Sequence, residues 1–154
     1  MSLQAPPNGT GSVIDTLTTV ATKERQAVMA NASGTVANNW AVTNTPAAAA
    51  QATVTQAAGA ASVYNVCTSI TAVITTSGTA QTILQVNLRG GTTGAGTILW
   101  SASVVLTTNQ VFTIALSGLN IFGTAAAQAM TLEFSAAGVA ASVQSVSMTG
   151  YTTA

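Results

Sequence analysis

From residue 51 to the C-terminus the chain is built of short runs in which apolar and polar side chains alternate, closed at intervals of roughly ten residues by Gly, Ser or Asn. A period of two is the repeat of a strand with one face buried, and β-branched Val, Ile and Thr dominate the runs. No stretch repeats apolar residues at the three-to-four spacing of an amphipathic helix between them. This pattern restricts the region to an all-β fold whose strands lie antiparallel, since parallel strands need long crossovers.

The runs are specific. Residues 64–74 set Tyr64, Val66, Ile70 and Ile74 on one side, and 82–89 align Leu84, Val86 and Leu88. Residues 97–106 align Ile98, Trp100, Val104 and Leu106; 111–116 align Phe112, Ile114 and Leu116; Met130, Leu132 and Phe134 form another inward set. With the weaker runs 51–56, 119–122 and 143–151 the expected count is about eight. Residues 90–96 read as a hairpin loop and 107–110 as a tight turn. The expectation is an antiparallel β-sandwich, with a jelly roll as the favoured topology. An Ala/Gly-rich segment recurs, at 57–63 and again at 136–143, each time ahead of a strand. Either loop composition repeats itself, or the two strands hold equivalent places.

The first 45 residues read differently. They open on the loop signal Pro6-Pro7-Asn8-Gly9, contain extended pieces at 16–21 and 36–42 and helix-compatible chemistry around 23–30, and have too few large apolar groups for a core. Asn44-Thr45-Pro46 reads as a hinge, because the residue before a proline is pushed towards extended conformations. The expected division is therefore an extended N-terminal docking arm, 1–45, and a β-sandwich domain, 46–154.

Charge narrows the functional classes. Only 4% of the 154 residues are Asp, Glu, Lys or Arg, against about 25% in an average globular protein, and the formal net charge is zero. Four of these six charges, Asp15, Lys23, Glu24 and Arg25, lie in the arm. A dispersed monomer relies on interspersed charge for solubility, so this composition points to a surface occupied by other protein. Three cations, Lys23, Arg25 and Arg89, are too few to meet nucleic-acid phosphates. Neither a secretion signal nor a membrane span is read from the sequence.

Without histidine there is no Ser/His/Asp or Cys/His nucleophile system and no common zinc site, so no metal and no cofactor are expected. A glycosidase pair would have to come from Asp15, Glu24 and Glu133. The expectation is a non-enzyme with no catalytic residues. Glu133 alternates with Leu132 and Phe134, and Arg89 follows Leu88, which turns both away from the core towards a surface ion pair or solvent; Arg89 is alternatively an anchor for a partner's carboxylate. Cys67 reads as a small buried hydrophobe. Trp100 and Tyr64 read as core, whereas Trp40, on a segment without a core, reads as an anchor for a neighbour's pocket. The partner-binding candidates are thus Val13, Ile14, Leu17, Val28, Trp40 and Arg89.

The stretch from Val20 through Lys23-Glu24-Arg25 to Asn44-Thr45-Pro46, followed by an Ala/Gly-rich entry into a β-domain with Tyr64-Asn65-Val66-Cys67-Thr68-Ser69-Ile70, resembles small virion structural proteins of tailed bacteriophages. Thr97-Ile98-Leu99-Trp100 and Leu119-Asn120-Ile121-Phe122-Gly123, ahead of Met130-Thr131-Leu132-Glu133-Phe134, are similar to the β-domains of such proteins. The resemblance implies a capsid decoration or cement, head-fibre or tail-associated protein in the virion. It implies a homotrimer whose arm docks on the major capsid protein or another virion protein. The alternative is a receptor- or glycan-binding module of a tail or fibre, presenting loops 90–96 and 136–141.

Overall fold

The computed structural model describes residues 38–154 apart from residues 79–80. These form eight strands and no helix: β1 (Asn38–Asn44), β2 (Thr53–Gln56), β3 (Tyr64–Thr75), β4 (Gln81–Gly90), β5 (Thr97–Leu106), β6 (Val111–Phe122), β7 (Met130–Phe134) and β8 (Val143–Thr153). They make two four-stranded antiparallel sheets, in the orders β1-β8-β3-β6 (sheet A) and β2-β7-β4-β5 (sheet B). The pairs β1·β8, β2·β7, β3·β6 and β4·β5 nest like one long hairpin. The cross-pairs β3·β8 and β4·β7 roll that hairpin into two layers.

The core lies between the layers. Ile70, Ala72 and Ile74 of β3 sit in register with Met148, Val146 and Gln144 of β8, facing Leu84, Val86 and Leu88 of β4 and Met130, Leu132 and Phe134 of β7. Burying each large aliphatic side chain contributes about 1.5–3 kcal/mol of transfer free energy, so rows of this kind hold the sheets together.

Besides a register shift between Gln81 and Leu84 of β4, three irregularities interrupt the alternation. At Thr68 the pairing of β3 with β8 slips by one residue, so Cys67 rather than Val66 joins Ile70 in the core. Val66 takes the alternate facing, in register with Phe122 and Tyr151, and is fully buried there. Tyr64, two residues earlier, is consequently exposed rather than core. In β5, Leu88 pairs with Trp100 but Arg89 pairs with Ile98, which makes Leu99 the extra residue. Leu99 and Trp100 reach the core, while Ile98, expected inward, turns out. The third lies near Gly118, where φ is +69°: the strand passes through it, so the runs 111–116 and 119–122 are one element rather than two.

The eighth strand comes from the segment assigned to the arm. Asn38–Asn44 pairs with β8 over its whole length and belongs to sheet A, which moves the boundary from 45/46 to the start of β1. Trp40 does not reach for a neighbour: it is half-buried, packed against the core of its own chain. It does so because Gly150, its register partner, has no side chain; a Cβ there would overlap the indole ring and the Val66 carbonyl. The indole Nε1 is buried and has no hydrogen-bond partner among the described residues.

The recurrent Ala/Gly segments occupy equivalent places. Val63 N–H donates to Ala60 O (3.1 Å) and Ser142 N–H to Val139 O (2.9 Å), with Ser62 (φ 68°) and Ala141 (φ 58°) at the third turn position. The strands they introduce, β3 and β8, are neighbours in sheet A. The turn Ala47–Ala50 ahead of β2 repeats the device, with Ala49 at φ 60°. Buried amides fasten the loops: Gln144 accepts from Ala52 N–H (2.9 Å) and donates to Ala136 O (3.0 Å), and Asn65 donates to Ala57 O (3.0 Å) and Gln128 O (2.9 Å).

Candidate interaction surface

Arg89 and Glu133 are the two charged residues of the sandwich sequence, and they meet. Their strands are adjacent, and both side chains point to the outer face of sheet B, as the alternation requires. Arg89 Nε donates to Glu133 Oε1 at 2.5 Å. The pair is not a solvated surface bridge, however: the Glu133 side chain is only 2% exposed and that of Arg89 18%. The cover is the 90–96 loop, which connects β4 to β5 and folds back over β7. Gly94, at φ +69°, donates its N–H to Glu133 Oε2 (2.9 Å), and Thr131 Oγ1 donates to Gly91 O (2.8 Å). Arg89 Nη1 closes the ring on Gly96 O (3.3 Å).

Arg89 is therefore engaged by its own chain, and the loop that the alternative reading gave a binding role closes over this pair. Removing one member of a buried pair leaves an uncompensated charge. Arg89→Met is expected to lower stability by about 3 kcal/mol, and Arg89→Met/Glu133→Leu by much less. Urea denaturation of the three proteins, read as midpoint and slope, checks this.

Cys67 is buried in the core and donates its thiol to Ser69 O (3.3 Å) across the bulge. Burial away from water pushes the thiol up from its ordinary value near 9 to about 11. Because the folded state holds this proton more tightly than the unfolded chain, its contribution to stability is complete below pH 9 and is lost as pH rises through about 11. The expected outcome is a melting temperature that falls over that interval, with the fall reduced in Cys67→Ala. At neutral pH the thiol should react with a disulfide reagent only after denaturation. Among the described residues no group of three or more His, Cys, Asp or Glu is placed to hold a metal ion, and no helix is long and apolar enough to cross a membrane.

What remains is surface. The four strands of sheet A carry no charged residue. Their outer face is a field of Thr, Ser, Ala and Val: Thr71, Val73 and Thr75 lie in register with Ser147, Ser145 and Val143 on one side and with Ala115, Thr113 and Val111 on the other. Exposed large apolar side chains are concentrated on β4, β5 and β6. Ile83 is 68% exposed, Val105 65% and Val111 66%, with Ile98 and Phe122 near half. β5 and β6 are also the outermost strands of their sheets, ten and twelve residues long. Neither contains the Pro, Lys or Glu with which exposed edges are usually blunted. At the other end of sheet A, Phe122, Val66 and Tyr151 form a cross-strand row, flanked by Tyr64 and by Asn120, which accepts from Tyr151 Oη (3.3 Å).

Of the partner-binding candidates, Val13, Ile14, Leu17 and Val28 lie outside the described residues; Trp40 and Arg89 are both engaged within the chain. The edge strands and the aromatic row were not singled out from the sequence. Edge position is a matter of strand order, which alternation does not encode; only the absence of charge and proline from residues 97–122 hinted at it.

No protein-family model matches the chain, and no curated protein matches it. Among solved structures it is similar to one described as "Bacillus endospore appendages form a novel family of disulfide-linked pili". The identity is 13% and the TM-score 0.28, over 77% of this chain and 91% of that one. That superposition is too loose to support a fold assignment, which rests here on the strand pairings.

Proposed function

We propose that this chain is a non-enzymatic structural protein of a virus particle, of the capsid-decoration or head-fibre kind. Its sandwich self-associates through uncharged surface, and its N-terminal segment attaches it to another virion protein. The observation that carries the reading is a sandwich whose one charged pair is spent internally, beside a sheet with no charge and two unblunted edges. Such a surface gains little from remaining in water and offers few long side chains to immobilise on association. The nested strand order is read as a jelly roll, an architecture found in viral capsid and lectin domains. Architecture alone does not separate these roles; the uncharged surface is what favours association.

The division at Asn38 sets the test. A protein lacking residues 1–37 keeps β1 and is expected to retain its β-sheet circular dichroism and cooperative unfolding, yet to lose cosedimentation with particles. A cut at residue 45 would instead tear β1 from β8. Attachment retained by the 38–154 protein would overturn the role given to the N-terminal segment.

The aromatic row of sheet A favours a second reading, a receptor- or glycan-binding module, with the site on the sheet face rather than in the loops. Phe122, 47% exposed beside Tyr151 and Asn120, is the kind of ring-and-amide surface that neutral sugars stack on. A reproducible hit on a glycan array, lost in Phe122→Ala, would favour this reading over the first.

A further inference from the structure

We propose that two copies of this chain join edge to edge through β6, antiparallel about a two-fold axis at Ile114, so that their A sheets run together as one eight-stranded sheet. The inference rests on the self-association proposed above and names its surface.

The first ground is the ladder. From Val111 to Ser117 the pairing of β6 with β3 is unbroken, ending only near Gly118. This segment has one side bonded to β3 and, as the outermost strand, no strand paired on its other side among the described residues. A row of unpaired backbone donors and acceptors accepts another strand and nothing else equally well. An antiparallel strand is complementary to itself, which is the condition for an isologous contact.

The second ground is what the axis brings together. Centring the pair on Ile114 sets Val111 opposite Ser117 and Thr113 opposite Ala115 on the outer face, with Phe112 opposite Leu116 and Ile114 opposite Ile114 on the inner face. The outer residues are small or β-branched and exposed, so none obstructs approach. The inner three are only half-buried, and Phe112 and Ile114 already pack on the core from the rim. A second copy would cover what the edge leaves open and make the two cores continuous.

The third ground is charge. An occupant bearing charge would find no counter-charge on any strand of sheet A, whereas a second β6 has none to bring. Self-pairing at β5 lacks this advantage, since Arg89 lies in register beside Ile98 of that edge. At the far edge of sheet A, Asn44 Nδ2 donates across to Thr53 O (2.8 Å) of β2, which ties the end of that strand to the other sheet.

The test uses the full-length protein in sedimentation velocity over a hundredfold concentration range. Thr113→Lys/Ala115→Lys sets ammonium groups opposite each other on both sides of the axis, at exposed positions where folding tolerates them. Wild type should show a dimer, and the lysine variant should dissociate about 100-fold or more readily while keeping its circular dichroism. An equimolar mixture with Thr113→Glu/Ala115→Glu should restore the dimer, which a misfolded variant could not do. A wild type that stays monomeric overturns this inference together with the self-association beneath it. A wild-type assembly of any size, trimer included, that both variants leave unchanged overturns the β6 contact alone, as does a mixture that fails to restore the dimer.

Discussion

The sandwich depends on the insertion of its last strand between β1 and β3. β8 supplies the hydrogen-bonding partner for the whole of β1 and for one side of β3. Gln144, Val146 and Met148 of its inner row are fully buried. Each member is fitted to its place. Met148 and Val146 fill the middle, Gly150 makes room for Trp40, and Gln144 ends the row where loops rather than strands cover it. Exchange of any two would leave a void at one site and an overlap at the other, because interiors are packed at crystal-like density. The pairing of β1 with β8 joins the extremes of the described chain, so sheet A reaches its full hydrogen-bond complement only when the largest loop has been closed.

Much of this was legible beforehand. Alternation located β3, β4, β5, β7 and β8 to within a residue or two, together with the inward rows Leu84-Val86-Leu88 and Met130-Leu132-Phe134. It failed where the backbone breaks its own period. One extra residue at Thr68 and another at Leu99 reversed the facing of Tyr64 and Ile98, and nothing in the neighbouring side chains announces a bulge. β1 was read as an extended piece, 36–42, but placed in the arm rather than in the sheet, for a different reason. Asn38-Asn39-Trp40-Ala41-Val42-Thr43-Asn44 has little hydrophobicity of its own and becomes a strand because β8 waits for it. Glu133 shows a third limit: its facing was readable from the sequence, but its burial comes from a loop distant from it in the chain.

The 90–96 loop and the turns at Ser62, Ala49 and Ala141 illustrate how a chain so poor in charge obtains definition. Where long charged side chains would ordinarily fix loop positions, backbone groups are met by short hydroxyls and amides, such as Thr131 to Gly91 and Thr76 to Thr107 (2.8 Å each). Such contacts immobilise side chains with little conformational entropy to lose.

The mutual neutralisation of Arg89 and Glu133 also bears on kinetics. With its one cation and one anion held 2.5 Å apart, the sandwich has almost no electric field beyond its own boundary. Partners approaching it are neither drawn in nor turned away at a distance. Encounter then proceeds by unaided diffusion and orientation, at the roughly 10⁵–10⁶ M⁻¹s⁻¹ of unsteered docking. Added salt has little to screen in such a process. In the edge-to-edge pairing proposed above, the persistence of the joined state, set by how slowly packed strands come apart, would be the quantity through which selection can tune this surface.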